Sequence, residues 1–145
     1  MKALLQRVTH ASVVVDGNTV GAIDTGLLVL VGIEPADTPS ISARMLERLL
    51  NYRVFPDQEG RMNCSLRDIG GGLLLVSQFT LAAETKKGNR PGFSTAAAPD
   101  LAETLFNDLV QQAQRLHQPV ATGRFGADMQ VSLTNDGPVT FLLEL

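Results

Sequence analysis

The chain has 145 residues, 44% of them apolar and 19% charged, which is enough for one domain over residues 1–145 with its own core. A formal net charge of −3 excludes coating nucleic acid by bulk charge, and the single cysteine, Cys64, excludes an internal disulfide or a thiolate metal cluster. No apolar run reaches the ~18 residues that span a bilayer, and the opening "MKALLQRVTHAS" lacks signal-peptide anatomy, so a cytoplasmic location is expected.

In chain order, residues 4–15 are rich in β-branched residues and stop at Asp16-Gly17, a hairpin signal, so the chain is expected to return through residues 19–23. "GLLVLVGI" (26–33) is a continuous apolar run between glycine and Pro35, which predicts a strand buried on both faces. Residues 40–51 place Ile41, Met45, Leu46 and Leu49 at helical spacing, with Ser40 as the expected cap. Residues 55–60, "FPDQEG", read as a turn, and residues 73–79 as a second buried strand. A second helix is expected from Pro99 to His117. Its apolar stripe is Leu101, Leu105, Leu109, Ala113 and Leu116, widened by Phe106 and Val110, with acids in its first turn and Arg115 and His117 in its last. Three short strands follow at 120–122, 129–133 and 139–145.

This order predicts an α+β fold: a mostly antiparallel or mixed sheet, or a barrel-like core, with two covering helices. No glycine-rich turn leads from a strand directly into a helix, which disfavours a dinucleotide or P-loop site. His10 and His117 lie outside any ligand-spaced motif, so no metal and no cofactor is expected.

Three segments place polar or special residues where a plain core would not. "SQFT" (77–80) ends a buried strand with two hydroxyls and an amide; the plain alternative is a strand end that satisfies loop backbone. "NRPGF" (89–93) suggests a loop of fixed shape whose Arg90 can hold a phosphate or carboxylate; the alternative is an ordinary surface turn. With Lys86 and Lys87, and against Glu84, this stretch carries a local balance of +2. In "FGADM…NDGPVT", Phe125 and Met129 offer soft apolar surface, and Gly137-Pro138 is an X-Pro bond open to either isomer, with trans the commoner. A Ser-His-Asp arrangement fits poorly, because neither histidine is tied to Ser77 or Thr80.

"SQFTL", "KKGNRPGF", "FGADM" and "NDGPVT", in this order and spacing, resemble the D-aminoacyl-tRNA deacylase family, and "QRV" near the start and "GRMNCSL" (60–66) fit as well. The resemblance covers essentially the whole chain. It implies an enzyme that hydrolyses the ester between a D-amino acid and the 3′-terminal adenosine of tRNA and also clears glycine from mischarged tRNA. It further implies a homodimer with two sites at the subunit interface, each joining Ser77, Gln78, Phe79 and Thr80 of one subunit to a cis Gly137-Pro138 of the other.

On that resemblance Thr80 and Gln78 are the expected catalytic residues. Ser77, Phe79, Phe125, Met129, Gly137 and Pro138 would contact substrate, Arg7 would brace the Gly-Pro loop, and Lys86, Lys87 and Arg90 would meet tRNA phosphates. Two other readings stand beside it: a non-catalytic module that binds RNA 3′ ends with the same pocket, and a metal-dependent esterase, for which the ligand spacings are missing.

Overall fold

The computed structural model describes residues 1–145. Strands β1 (Lys2–Val15), β2 (Asn18–Ile23) and β3 (Gly26–Gly32) open the fold. Helix α1 (Pro39–Asn51), a two-stranded ribbon of β4 (Phe55–Pro56) and β5 (Met62–Cys64), and the short α2 (Leu66–Ile69) come next. Strand β6 (Gly72–Ser77), a single 3-10 turn (Phe79–Ala82), α3 (Pro99–Leu116), β7 (Val120–Thr122) and β8 (Gln130–Glu144) complete it.

The main sheet runs β2-β1-β3-β6-β7, with β8 also paired to β1. Along β1, residues 2–8 pair with β3 and residues 11–15 with β2, while β8 follows β1 from Lys2 to Val14, so β8 occupies the opposite side. The β3-β6 and β6-β7 pairs are parallel and the rest antiparallel, so the sheet is mixed. It curls until β2 approaches β7, and Gly21 permits this: a Cβ there would collide with the Thr122 carbonyl. The outcome is a nearly closed, barrel-like α+β fold.

Both faces of the central strands are covered. Leu27, Val29, Leu73 and Leu75 pack toward Leu46, Leu49, Leu105 and Leu109 of the helices. Leu28, Leu74 and Val76 point the other way, toward Val8, Ala11 and Val13. This double burial explains the unbroken apolar runs of β3 and β6, and removing one such leucine by Leu→Ala costs about 2–5 kcal/mol. The chain's two ends are tied together. The fully buried Met1 ammonium donates to Asp37 at 2.6 Å, Glu34 at 2.8 Å and the Leu145 carbonyl at 2.9 Å. No helix is long and apolar enough to cross a membrane.

Several local expectations are corrected. The cap of α1 is Thr38, whose Oγ accepts from the Ile41 N–H at 3.3 Å, because Pro39 takes the first helical position and Ser40 falls inside. Of the expected α3 stripe, Leu101 and Leu116 are exposed, and Ala102 is buried in their place. His117, which follows α3, is buried, with Nε2 donating to the Gly71 carbonyl at 2.6 Å. Phe55 and Pro56 pair with Cys64 and Met62 rather than only turning, and α2 is an additional element closed by a Ser65–Asp68 capping box. The expected strand at 73–79 ends at Ser77, and the two strands expected at 129–133 and 139–145 are one, β8.

Candidate active site

Strand β6 lies between β3 and β7, and its buried residues fix the direction in which Ser77 leaves the sheet. The Gln78 N–H donates to the Val31 carbonyl at 2.7 Å, and the chain then tightens into the Phe79–Ala82 turn. Within that turn the Leu81 N–H reaches back to the Gln78 carbonyl at 3.2 Å. The N–H groups of Phe79 and Thr80 come too early for any carbonyl of the turn to accept them. Gln78 Nε2 donates to Thr80 Oγ at 2.6 Å, so the hydroxyl's own proton points elsewhere.

Beside this turn opens a cavity of about 450 Å³, in the range of small-ligand sites. Ser77, Gln78, Phe79, Phe125 and Met129 all line it. Phe125 rests against Phe106 of α3, ring centroids 6.2 Å apart, and Met129 Sδ accepts the Arg124 N–H at 3.4 Å. Thr80 joins the group through Gln78. The remaining wall includes Ala97, Pro99 and Ala102 at the start of α3, which sequence reasoning missed. The available signal was the run of small residues at 96–99, "AAAP", just ahead of a helix: small side chains leave space.

Gly137 and Pro138 do not line this cavity. On β8, Thr140 pairs with Gln6 and Asn135 with Val8, so the single residue Arg7 faces residues 136–139. Those residues bulge outward, with Gly137 and Pro138 exposed and the bond between them cis. Gly137 has φ +155°, and a Cβ on it would stand 2.6 Å from Val139 N and Val139 Cγ2.

The bulge is braced from two sides. Arg7 Nε donates to the Asp136 carbonyl at 2.9 Å and lies 3.3 Å from its carboxylate, while Nη1 donates to the Val54 carbonyl at 2.6 Å. Asn135 Oδ1 accepts the Val139 N–H at 2.7 Å, and its amide donates to Gln6 Oε1 at 3.0 Å and Thr140 Oγ at 2.9 Å. Sequence reasoning missed Asn135, although asparagine side chains are prone to hydrogen-bond nearby backbone in turns.

Arg7 pairs with Leu27 near the start of β3, whereas Ser77 pairs with Val31 near its end. Four residues of strand, roughly 13 Å, separate the two levels before the chain even reaches Thr80. One chain therefore does not bring its Gly137-Pro138 bulge to its own Thr80. Both histidines are also remote. His117 is bonded at Gly71, before β6 begins, and His10 sits on β1 opposite Thr134 of β8. Lys86, Lys87 and Arg90 are exposed and unpaired, on a loop closed by two backbone hydrogen bonds between Glu84 and Gly92, 2.8 and 3.0 Å.

Residues 4–144 match the family model described as D-Tyr-tRNA(Tyr) deacylase. A D-aminoacyl-tRNA deacylase of Pseudomonas fluorescens (strain SBW25) is 67% identical over 144 residues, 99% of each chain. One of Marinomonas sp. (strain MWYL1) is 61% identical over 144 residues, 99% of this chain and 100% of that protein. Among solved structures, a protein described as c-Myc DNA Unwinding Element Binding Protein superposes with a TM-score of 0.95 at 43% identity, covering 100% of this chain and 99% of that one. A probable eukaryotic D-amino acid tRNA deacylase shares the fold alone, with a TM-score of 0.84 at 17% identity over 99% of this chain and 98% of that one. Motifs, fold and full-length identity agree, and the chain belongs to the D-Tyr-tRNA(Tyr) deacylase family.

Proposed function

We propose that this protein is an ester hydrolase acting on D-aminoacyl-tRNA, releasing the free D-amino acid and tRNA and so serving chiral proofreading in translation quality control in the cytoplasm. The observation that carries the reading is the cavity at the end of β6, where Ser77, Gln78 and Phe79 meet Phe125 and Met129 and Gln78 holds the Thr80 hydroxyl.

The aminoacyl ester is already activated, so the site needs a donor for the oxyanion, a placed water and a route for one proton. The Phe79 and Thr80 N–H groups supply the donors. Water adds to the carbonyl carbon, the bond to the ribose 3′-oxygen breaks, and the proton lost by the water ends on that oxygen, with the neighbouring 2′-hydroxyl assisting. A nucleophilic Thr80 needs a group that accepts its proton, but its observed partner, the Gln78 amide, is a donor at 2.6 Å. Thr80 therefore acts as a positioning residue whose hydroxyl donates toward substrate, and Gln78 orients it.

The second half of the pocket is the Gly137-Pro138 bulge of a partner subunit. Two features support this: the bulge is exposed and braced, and β8 pairs only with β1, leaving a free edge that carries the half-exposed Leu142 (50%). Carbonyls of the bulge grip what all amino acids share. A D-residue turns its side chain to solvent, an L-residue drives its Cβ into the carbonyls and is rejected, and glycine, having no Cβ, passes. Lys86, Lys87 and Arg90 meet phosphates near the 3′ end.

The test is incubation with D-, L- and glycyl-tRNA, following free amino acid, with Thr80→Ala alongside. Turnover of D- and glycyl- but not L-aminoacyl-tRNA is expected, with Thr80→Ala keeping most of the rate. Loss of about 10³-fold in that variant would instead assign Thr80 to attack or proton relay. No turnover of any substrate would favour the RNA 3′-end binding module.

A further inference from the structure

Phe79 and Phe93 are the most exposed aromatic residues of the chain, at 57% and 46%, and they lie against each other with ring centroids 5.1 Å apart and planes at 54°. We propose that this pair is a stacking platform for unpaired RNA, and that Phe93 takes the nucleobase immediately upstream of the terminal adenosine. The proposal rests on the substrate reading above and adds a residue to it.

Three observations support the assignment. The first is position. Phe79 lines the cavity and Phe93 does not, so the pair runs from the cavity wall outward, along the path a chain must take when its last nucleoside is inside. The second is charge. Phe93 directly follows the Glu84–Gly92 closure of the loop that carries Lys86, Lys87 and Arg90, so the exposed ring stands at the base of the loop that bears the exposed cations. Single-strand binders combine a cationic track with stacking rings in this way. A duplex offers no free base face, and an apolar protein partner would have to bury three unpaired cations.

The third is rigidity. On either side of Phe93, Gly92 is bridged to Glu84 and Thr95 Oγ donates to the Ala82 carbonyl at 2.5 Å, so the backbone that carries the ring is anchored before any ligand arrives.

The test compares the wild type, Phe93→Ala and Phe93→Trp on two substrates, full D-aminoacyl-tRNA and the minimal D-aminoacyl-adenosine ester. Losing one stacked base is expected to lower the ratio of kcat/KM for tRNA over the minimal ester about tenfold in Phe93→Ala, mainly through KM, and Phe93→Trp restores it. An unchanged ratio, or Phe93→Trp as poor as Phe93→Ala, overturns the proposal.

Binding of a labelled, uncharged single-stranded tetranucleotide ending in adenosine gives a readout independent of turnover. Affinity about tenfold weaker in Phe93→Ala supports the platform even if the protein hydrolyses nothing, which would sink only the catalytic reading. Equal affinities of wild type and Phe93→Ala overturn it. A change of oligomeric state in Phe93→Ala by sedimentation would assign the pair to subunit contact and also overturn it.

Discussion

Two loops of this molecule are built in opposite ways. The Gly137-Pro138 bulge is clamped by Arg7 on one side and by Asn135 from within, and those two side chains are themselves anchored, Arg7 on the Val54 carbonyl and Asn135 on the side chains of Gln6 and Thr140. The loop of residues 85–91 is closed at its base by the Glu84–Gly92 bridge, and its three cations project without ion partners. Under the proposed function, the contrast follows what each kind of recognition needs. Selection by shape fails if the wedge moves by an ångström, so its backbone must be over-determined. Attraction of phosphates by charge falls off gently with distance, so it tolerates mobile side chains.

The largest expected effect comes from Gly137→Ala. Its Cβ would stand 2.6 Å from Val139 N, and φ +155° is strained for alanine, so the bulge must reshape. Under the proposed function, the ratio of D- to L-aminoacyl-tRNA turnover is expected to fall about 10²-fold; an unchanged ratio would remove the bulge from stereochemical selection.

Asn135→Ala leaves the Val139 N–H without its acceptor and should cost about 1–3 kcal/mol in denaturant unfolding, with a smaller loss of selectivity. If the variant is as stable and selective as the wild type, the clamp is not what holds the bulge.

Replacing Lys86, Lys87 and Arg90 together with glutamine should raise KM and leave the D/L ratio alone. The slope of log affinity against log salt should drop by about 2, as expected for three lost contacts to a single strand. A salt slope matching the wild type would place the phosphates elsewhere.

The smallest effect is a control away from both loops. In the α2 capping box, hydrogen bonds to Asp68 from the Ser65 backbone and hydroxyl, both 2.7 Å, hold its carboxyl below the usual aspartate range. Because the folded value lies below the unfolded one, this contribution is present above about pH 4 and is lost as pH falls through the folded value. Asp68→Asn should flatten that acid limb of stability, measured by denaturant midpoint against pH, without changing D/L selectivity.

Local pattern made much of the fold legible. Apolar runs bounded by glycine identified β3 and β6, and the Asp16-Gly17 turn identified the first hairpin. What it missed depended on partners. Residues 129–133 and 139–145 look like two strands because Gly-Pro interrupts the apolar pattern, yet both pair with β1, which carries the ladder across the gap. Ser40 resembles a cap until Pro39 is given the first helical position and Thr38 the cap. Leu101 and Leu116 match the helical period but stay exposed, in the first and last turns of α3, while the buried face runs through Ala102, Leu105, Phe106, Leu109 and Ala113.

By itself, the sequence determined the main strands and the two long helices, the double burial of β3 and β6, and the motifs of the family, because these follow from residues near one another along the chain. Only the tertiary structure decided that Ser77, Gln78, Phe79, Phe125 and Met129 share one cavity and that the Gly137-Pro138 bulge stands at the other end of the sheet. That separation comes from strand register, which is set by long-range pairing of β1 with both β3 and β8 and which no local stretch of residues encodes.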